Sequence, residues 1–392
     1  MDVLKMSTKN RIEEEISEWI SGSAKSVTFV VTEDCQLDCR YCYFVDKNTN
    51  NKMDFVVAKR TIDYLLSHKE VFTEDAVIFD FIGGEPFLEV ELIDKICDYF
   101  KLKAFKEGHK WFDAYRFNLS SNGLLYNSKR VQKFIKKNLR HLDISISIDG
   151  TKQKHDMHRK YSHGKGSYND TIKIIPIWLE QFPTASTKVT ISSDDIPYIR
   201  ESVLHLFKLN IKYININVVF EDVWKEGDDI RFEQQLFELA DDILEREFYK
   251  DYTCSFFNRT IGKPVKDNGN WCGSGKMLAV DHTGNFYPCV RFTPFSLKNK
   301  KSRIIGNCYD GIDFNKQRSF LALTMTSQSN KECIECDVAS GCAWCQGFNY
   351  DSADSDTIYQ RATFICKMHK ARVRANNYFW GKYDEKVRTG NE

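Results

Sequence analysis

Three cysteines stand within eight residues, Cys35-Gln36-Leu37-Asp38-Cys39-Arg40-Tyr41-Cys42, with three and then two residues between them. A tight loop can turn all three thiolates toward one centre. They would satisfy three irons of a cubic [4Fe–4S] cluster and leave the fourth open, and such clusters are held by cysteines at short, fixed spacings. Structural zinc wants four ligands in two pairs. No fourth Cys or His lies nearby, the next cysteine being Cys97, so the loop reads as a cluster site. Cys97 itself falls on the apolar side of a helical pattern (Leu92, Ile96, Phe100) and reads as a buried core thiol. Nine of the thirteen cysteines follow from Cys254 onward, among them Cys272, Cys289, Cys333-x2-Cys336-x5-Cys342-x2-Cys345 and Cys366. Disulfides would need an oxidising compartment and an odd count leaves one thiol over, so metal ligation is the better account. Taken alone, the paired CxxC spacing also suits a zinc ribbon.

These thiols need a scaffold. Ser26 to Thr32 is β-branched and apolar, a buried strand that delivers the cluster loop. Further strands are expected at 76–82, 115–120, 142–148, 187–192 and 213–219. Helical patterns run over 54–67, 88–106, 127–137, 168–181, 196–209 and 230–248. Strands alternating with helices predict βα units around a parallel sheet. Six can be counted, short of the eight of a closed barrel, and the marked loops fall at strand C-terminal ends, where barrels place their chemistry. Residues 1–25 read as a short amphipathic helix (Ile12, Ile16, Trp19, Ile20) and a turn, too short for a winged-helix peptide-recognition domain. The alternation stops near residue 250, so the expected division is 1–25, 26–250 and 251–392. A net charge of +1 offers no basic field for nucleic acid. No apolar run approaches a membrane span, and the charged N-terminus lacks a signal peptide's apolar region. A cytoplasmic protein without nucleic-acid or membrane partners is expected.

Two more motifs follow strands. Gly83-Gly84-Glu85-Pro86 offers close backbone approach and a carboxylate for an ammonium group. Ser147-Ile148-Asp149-Gly150 precedes His155-Asp156-Met157-His158-Arg159. Together with the Cys35–Cys42 run, these pieces resemble radical S-adenosylmethionine (SAM) enzymes. The resemblance implies an α/β fold, an open (β/α)6 partial barrel. It also implies a cluster on Cys35, Cys39 and Cys42 whose open iron binds SAM, and a 5′-deoxyadenosyl radical formed when one electron breaks SAM. By the same resemblance Gly83, Gly84, Glu85 and Pro86 meet the methionine amino group. Ser147 faces the ribose region, Arg159 pairs with the carboxylate and Tyr41 packs on the adenine. Val219 either lines the adenine pocket or is simple strand core. His155, His158 and His163 could bind a metal, but a solvated loop is the expectation because no thiolate accompanies them.

The C-terminal cysteines, with Gly284-Asn285-Phe286-Tyr287-Pro288-Cys289, resemble a SPASM domain, which holds two auxiliary [4Fe–4S] clusters. The chain departs from that pattern once, with two residues rather than three between Cys342 and Cys345. The resemblance implies an outer cluster on Cys333, Cys336, Cys342 and Cys366, and an inner one on Cys272, Cys289 and Cys345. Cys254 is the favoured fourth inner ligand, Cys308 the spare; with neither, a substrate thiolate could take the place. In sulfatase-maturing relatives an Asp follows the cysteine of the GxxxxC motif and accepts a proton; here that position is Val290, which cannot act as a base. The segments Tyr287–Phe292 and Ala339–Cys345 are instead similar to maturases of CxxX-repeat ribosomal peptides, of ranthipeptide or sactipeptide type. That similarity implies thioether crosslinking of a Cys-containing precursor peptide, with electrons from a flavodoxin- or ferredoxin-type donor. Formylglycine formation, peptide epimerisation and, more remotely, a non-enzymatic zinc module are the alternatives.

Overall fold

A computed structural model describes residues 24–264, 268–270 and 272–389. The helix expected within residues 1–25 lies outside the described residues, except that Ala24 and Lys25 begin the first strand. Strands β1 (Ala24–Thr32), β2 (Ala76–Gly83), β3 (Tyr115–Ser121) and β4 (Leu142–Ile146) form one parallel ladder. β5 (Ser186–Ile191), β6 (Tyr213–Val218) and the short β7 (Thr253–Cys254) form a second. Helices α1 (Phe55–Ser67), α2 (Val90–Lys106), α3 (Lys129–Asn138), α4 (Lys152–His158), α5 (Ile175–Gln181), α6 (Ile199–Lys208) and α7 (Asp228–Glu245) make the crossovers. The six-unit barrel is therefore present.

Alternation along each strand assigns two faces. Val27, Phe29, Phe79, Phe81, Phe117 and Ile144 are buried and pack with helix residues such as Ile62, Phe100 and Trp178. The other face is polar: Asp80, Asn118, Ser145, Lys188, Asn215 and Asn217. Lys188, Asn215 and Asn217 are exposed although their strand neighbours Val189, Ile214 and Ile216 are buried. The inside of this barrel is thus open, unlike the filled interior of a closed eight-stranded one.

The helix expected over 168–181 is interrupted. A turn at Tyr168–Thr171 passes through a 3-10 segment before α5, where Pro176, lacking an N–H, falls in the first turn. α4 was not expected; the Thr151 side chain accepts from Lys154 N–H and caps it.

Beyond residue 250 the sheet continues. β8 (Leu278–Val280) pairs in parallel with the outer edge of β1, and β9 (Asn285–Tyr287), β10 (Gly306–Asn307) and β11 (Gly311–Ile312) extend it antiparallel. Two helices matter beyond the sheet, α8 (Gln346–Ser352) and the long α9 (Cys366–Thr389), which packs on α7. Among the described residues no helix is long and apolar enough to cross a membrane.

Candidate active site

The loop after β1 is clamped from two sides. Gly84 N–H donates to Thr32 O at 3.0 Å and Glu85 N–H to Asp34 O at 2.8 Å. A β-carbon on Gly84 would stand 2.3 Å from Asp34 O and 2.9 Å from Cys35 Cβ, so the two glycines let the end of β2 lie against the loop. Opposite, Asp38 N–H donates to Lys160 O at 2.7 Å and Arg40 N–H to His158 O at 3.2 Å. Between these clamps Cys35, Cys39 and Cys42 stand within electrostatic reach of one another in sequence, 35 beside 39 and 39 beside 42. Burial pushes the Cys35 thiol up to about 12 and raises Cys39 as well. Lone thiolates are costly there, whereas iron ligation deprotonates a thiol outright. Lys47 is a charge neighbour of all three sulfurs. The donor set fits the expected cluster.

Behind the loop, Asp149 is fully buried. It accepts from Arg159 Nε at 2.9 Å and from the Tyr41 hydroxyl. Burial opposes its charge, but Arg159 and Lys154 outweigh it and hold the carboxyl well below the usual range. The Tyr41 ring lies against His158 (centroids 5.2 Å apart) and under the Arg159 guanidinium at 5.4 Å. Glu85 accepts from Ser121 Oγ (2.8 Å), Asn122 N–H (2.8 Å) and Phe87 N–H (3.1 Å). Burial nevertheless raises it to about 7. Ser147, half-buried, donates its N–H to Ser121 O at 2.9 Å, and Pro86 begins a buried 3-10 turn.

A cavity of about 390 Å³, within the range of small-molecule sites, opens beside these residues; Tyr41, Cys42, His158, Val219, Arg291 and Phe348 are among its walls. Val219 thus lines a cavity rather than only filling a strand. The run Gly83–Pro86, Ser147 and Arg159 do not line it.

The histidines correct an expectation. His163 is exposed, but His155 and His158 are buried on α4. His155 bonds Ser167 Oγ at 3.0 Å through Nε2 and accepts from Asp149 N–H at 3.3 Å. His158 Nε2 meets Asp195 Oδ1 at 3.1 Å. They brace the motif rather than forming a solvated loop.

In the C-terminal part, Cys333, Cys336, Cys342 and Cys366 line one cavity, with Arg361 Nη2 3.1 Å from Cys342 Sγ. Cys272, Cys289 and Cys345 form a second group, each acting on another's charge, with Arg291 bonding Cys345. Among the described residues no three His, Cys, Asp or Glu side chains converge tightly enough for a single metal ion. Cys254 does not join the inner group. Its parallel register with Ile214 turns it to the core face of the sheet, where Phe256 N–H and Arg372 are its polar neighbours. Cys308 is also elsewhere, against Gly284 and near Arg60.

Sequence reasoning missed Lys47, Lys188 and Arg291. Neither residue type nor spacing marks them; only strand alternation could have turned Lys188 inward.

Residues 29–218 match the model of the radical SAM superfamily. An uncharacterized protein of Methanocaldococcus jannaschii is 29% identical over 272 residues, 68% of this chain and 84% of that protein. The serine-type anaerobic sulfatase-maturating enzyme of Bacteroides thetaiotaomicron is 21% identical over 346 residues, 79% of this chain and 78% of that one. Among solved structures, anSMEcpe with bound AdoMet superposes with a TM-score of 0.69 at 17% identity, covering 91% of this chain and 97% of that one. Streptococcus suis SuiB bound to its precursor peptide SuiA gives 0.55 at 15% identity, covering 92% and 80%. At these identities the two structures show a shared fold.

Proposed function

We propose, for a chain that belongs through residues 29–218 to the radical SAM superfamily, that this enzyme is a peptide maturase joining a cysteine sulfur to carbon in a ribosomally made precursor. Cys35, Cys39 and Cys42 would hold the SAM-binding cluster. Cys333, Cys336, Cys342 and Cys366 would hold the outer auxiliary cluster, and Cys272, Cys289 and Cys345 the inner one. When bound, SAM and its cluster supply a radical able to take hydrogen from an unactivated carbon.

The chain's own residues supply position. Glu85, fully buried, is the acceptor for SAM's ammonium group. Arg159, its Nε held by Asp149 at 2.9 Å, would pair with the carboxylate. Tyr41 and Val219 wall the cavity and keep water from it. The observation that carries the crosslinking reading is the inner group of three thiols, Cys272, Cys289 and Cys345, which Cys254 and Cys308 do not join; a peptide thiolate would complete it. Val290, directly after Cys289, cannot accept a proton, which disfavours formylglycine formation. The similarity to a sulfatase-maturating enzyme keeps that reaction as the second reading. A ferredoxin- or flavodoxin-type protein in a reducing cytoplasm is the fitting electron donor.

Anaerobic reaction of the reconstituted enzyme with a Cys-rich precursor peptide, read by fragmentation mass spectrometry, decides. A thioether lowers the mass by two hydrogens and removes one alkylatable thiol. Formylglycine from serine loses the same mass but leaves every thiol open to alkylation, and epimerisation leaves the mass unchanged; either result overturns the crosslinking reading.

A further inference from the structure

Lys188 lies on β5 between the buried Thr187 and Val189, so alternation turns it to the inside of the barrel. Its register partner on β6 is Asn215, and Asn217 follows on the same face; all three are exposed to that interior. The charged groups that act on its ammonium are Arg159, Arg291, Cys345 and Asp149. It is therefore within electrostatic reach both of Arg159, the proposed SAM contact, and of Cys345 in the inner thiol group. Asp149 is committed to Arg159 and Tyr41, and Glu221 faces Arg291 at 3.6 Å. Three cations thus meet two carboxylates, and among the described residues none makes an ion pair or hydrogen bond with Lys188. An ammonium repelled by two neighbouring guanidinium groups and paired with no carboxylate is stabilised when an anion arrives.

We infer that Lys188, flanked by the amides of Asn215 and Asn217, is a binding site for a carboxylate of the peptide substrate, an Asp or Glu side chain close to the residue being modified. This rests on the reading of the chain as a peptide-modifying enzyme, not on thioether formation. Lysine suits the task as a point charge on a flexible stem, and the neighbouring amides complete the carboxylate's hydrogen bonds. Lys188 is a specificity residue: it sets which peptide segment lies against the radical source.

The test uses the full chain, anaerobically reconstituted and saturated with SAM. Two capped synthetic peptides, identical except for Asp or Asn two residues after a single Cys, are titrated by fluorescence anisotropy. The wild type should bind the Asp peptide about tenfold more tightly than its Asn twin, the scale of one charge-assisted contact. Lys188→Gln should bring the ratio close to one, and Lys188→Arg should keep it above about threefold. Equal or undetectable binding of the two peptides by the wild type overturns the inference, as does a ratio unchanged in Lys188→Gln. So does a tenfold loss of SAM affinity in Lys188→Gln, which assigns the ammonium to SAM's carboxylate. A shifted resonance of the auxiliary clusters assigns it to Cys345 and also overturns the inference. The product's mass is read separately. Formylglycine with the Lys188-dependent ratio intact sinks crosslinking alone, and a thioether formed without any ratio sinks this inference alone.

Discussion

Gly84 shows how little room the cluster loop has. The backbone oxygen of Asp34 would stand 2.3 Å from any β-carbon there, and backbone cannot rotate away. Gly84→Ala is expected to cost about 1–3 kcal/mol, as overpacking does, and to lower iron bound per chain, measured by metal analysis and thermal unfolding. Gly381, inside α9 with nothing within 4 Å of where a β-carbon would stand, is the control; Gly381→Ala should be neutral or stabilise by up to about 1 kcal/mol. His155 supplies a pH dependence. Burial, then the nearby Arg159, depress it to about 4 although Asp149 pulls the other way, below the unfolded value of about 6.5. Its neutral form is the one folded, so its contribution is intact above pH 6.5 and declines as pH falls toward 4. The loss approaches about 3 kcal/mol. Denaturation midpoints measured from pH 7 to 4 should show His155→Gln flattening that slope; an unchanged slope would refute the assignment.

At the scale of elements, α4 is held to the turn after β5 by a buried ionic group. Lys154 Nζ donates to Thr190 O at 2.9 Å and stands 3.4 Å from Asp195 Oδ1, with both side chains fully buried, and His158 shares that oxygen. Asp195→Ala would leave Lys154 charged and unpaired in the interior, at a cost of about 3–5 kcal/mol. Adding Lys154→Met in that background should return at least about 1 kcal/mol in urea unfolding. Simple additivity of the two changes would mean that the pair is not coupled.

Across the whole molecule, the C-terminal part closes both open edges of the barrel. β8 covers β1, β7 extends β6, and α9 ties down α7 through Arg374–Glu233 (2.6 Å) and Lys382–Asp241 (2.8 Å). A chain ending at residue 250 would expose the edge of β1 at Val27–Phe29, an apolar strand with unpaired backbone groups. Such a fragment should aggregate where the full chain stays soluble, measured by soluble yield and light scattering. A soluble monomeric fragment would show that the two parts fold independently.

The cysteine loop and the order of strands and helices were legible in the amino-acid sequence, because each is written in spacing over neighbouring residues, whereas the grouping of the C-terminal thiols followed only from the family resemblance. The radical SAM resemblance rested on such local runs. What no run of neighbours carries was decided by tertiary structure. Register with Ile214 turned Cys254 into the core, and packing on Ser167 and Asp195 buried His155 and His158. The pairing of Val27 with Leu278, distant in sequence, merged two expected domains into one sheet. Lys188 gained its meaning in the same way, from charges that only folding assembles around it.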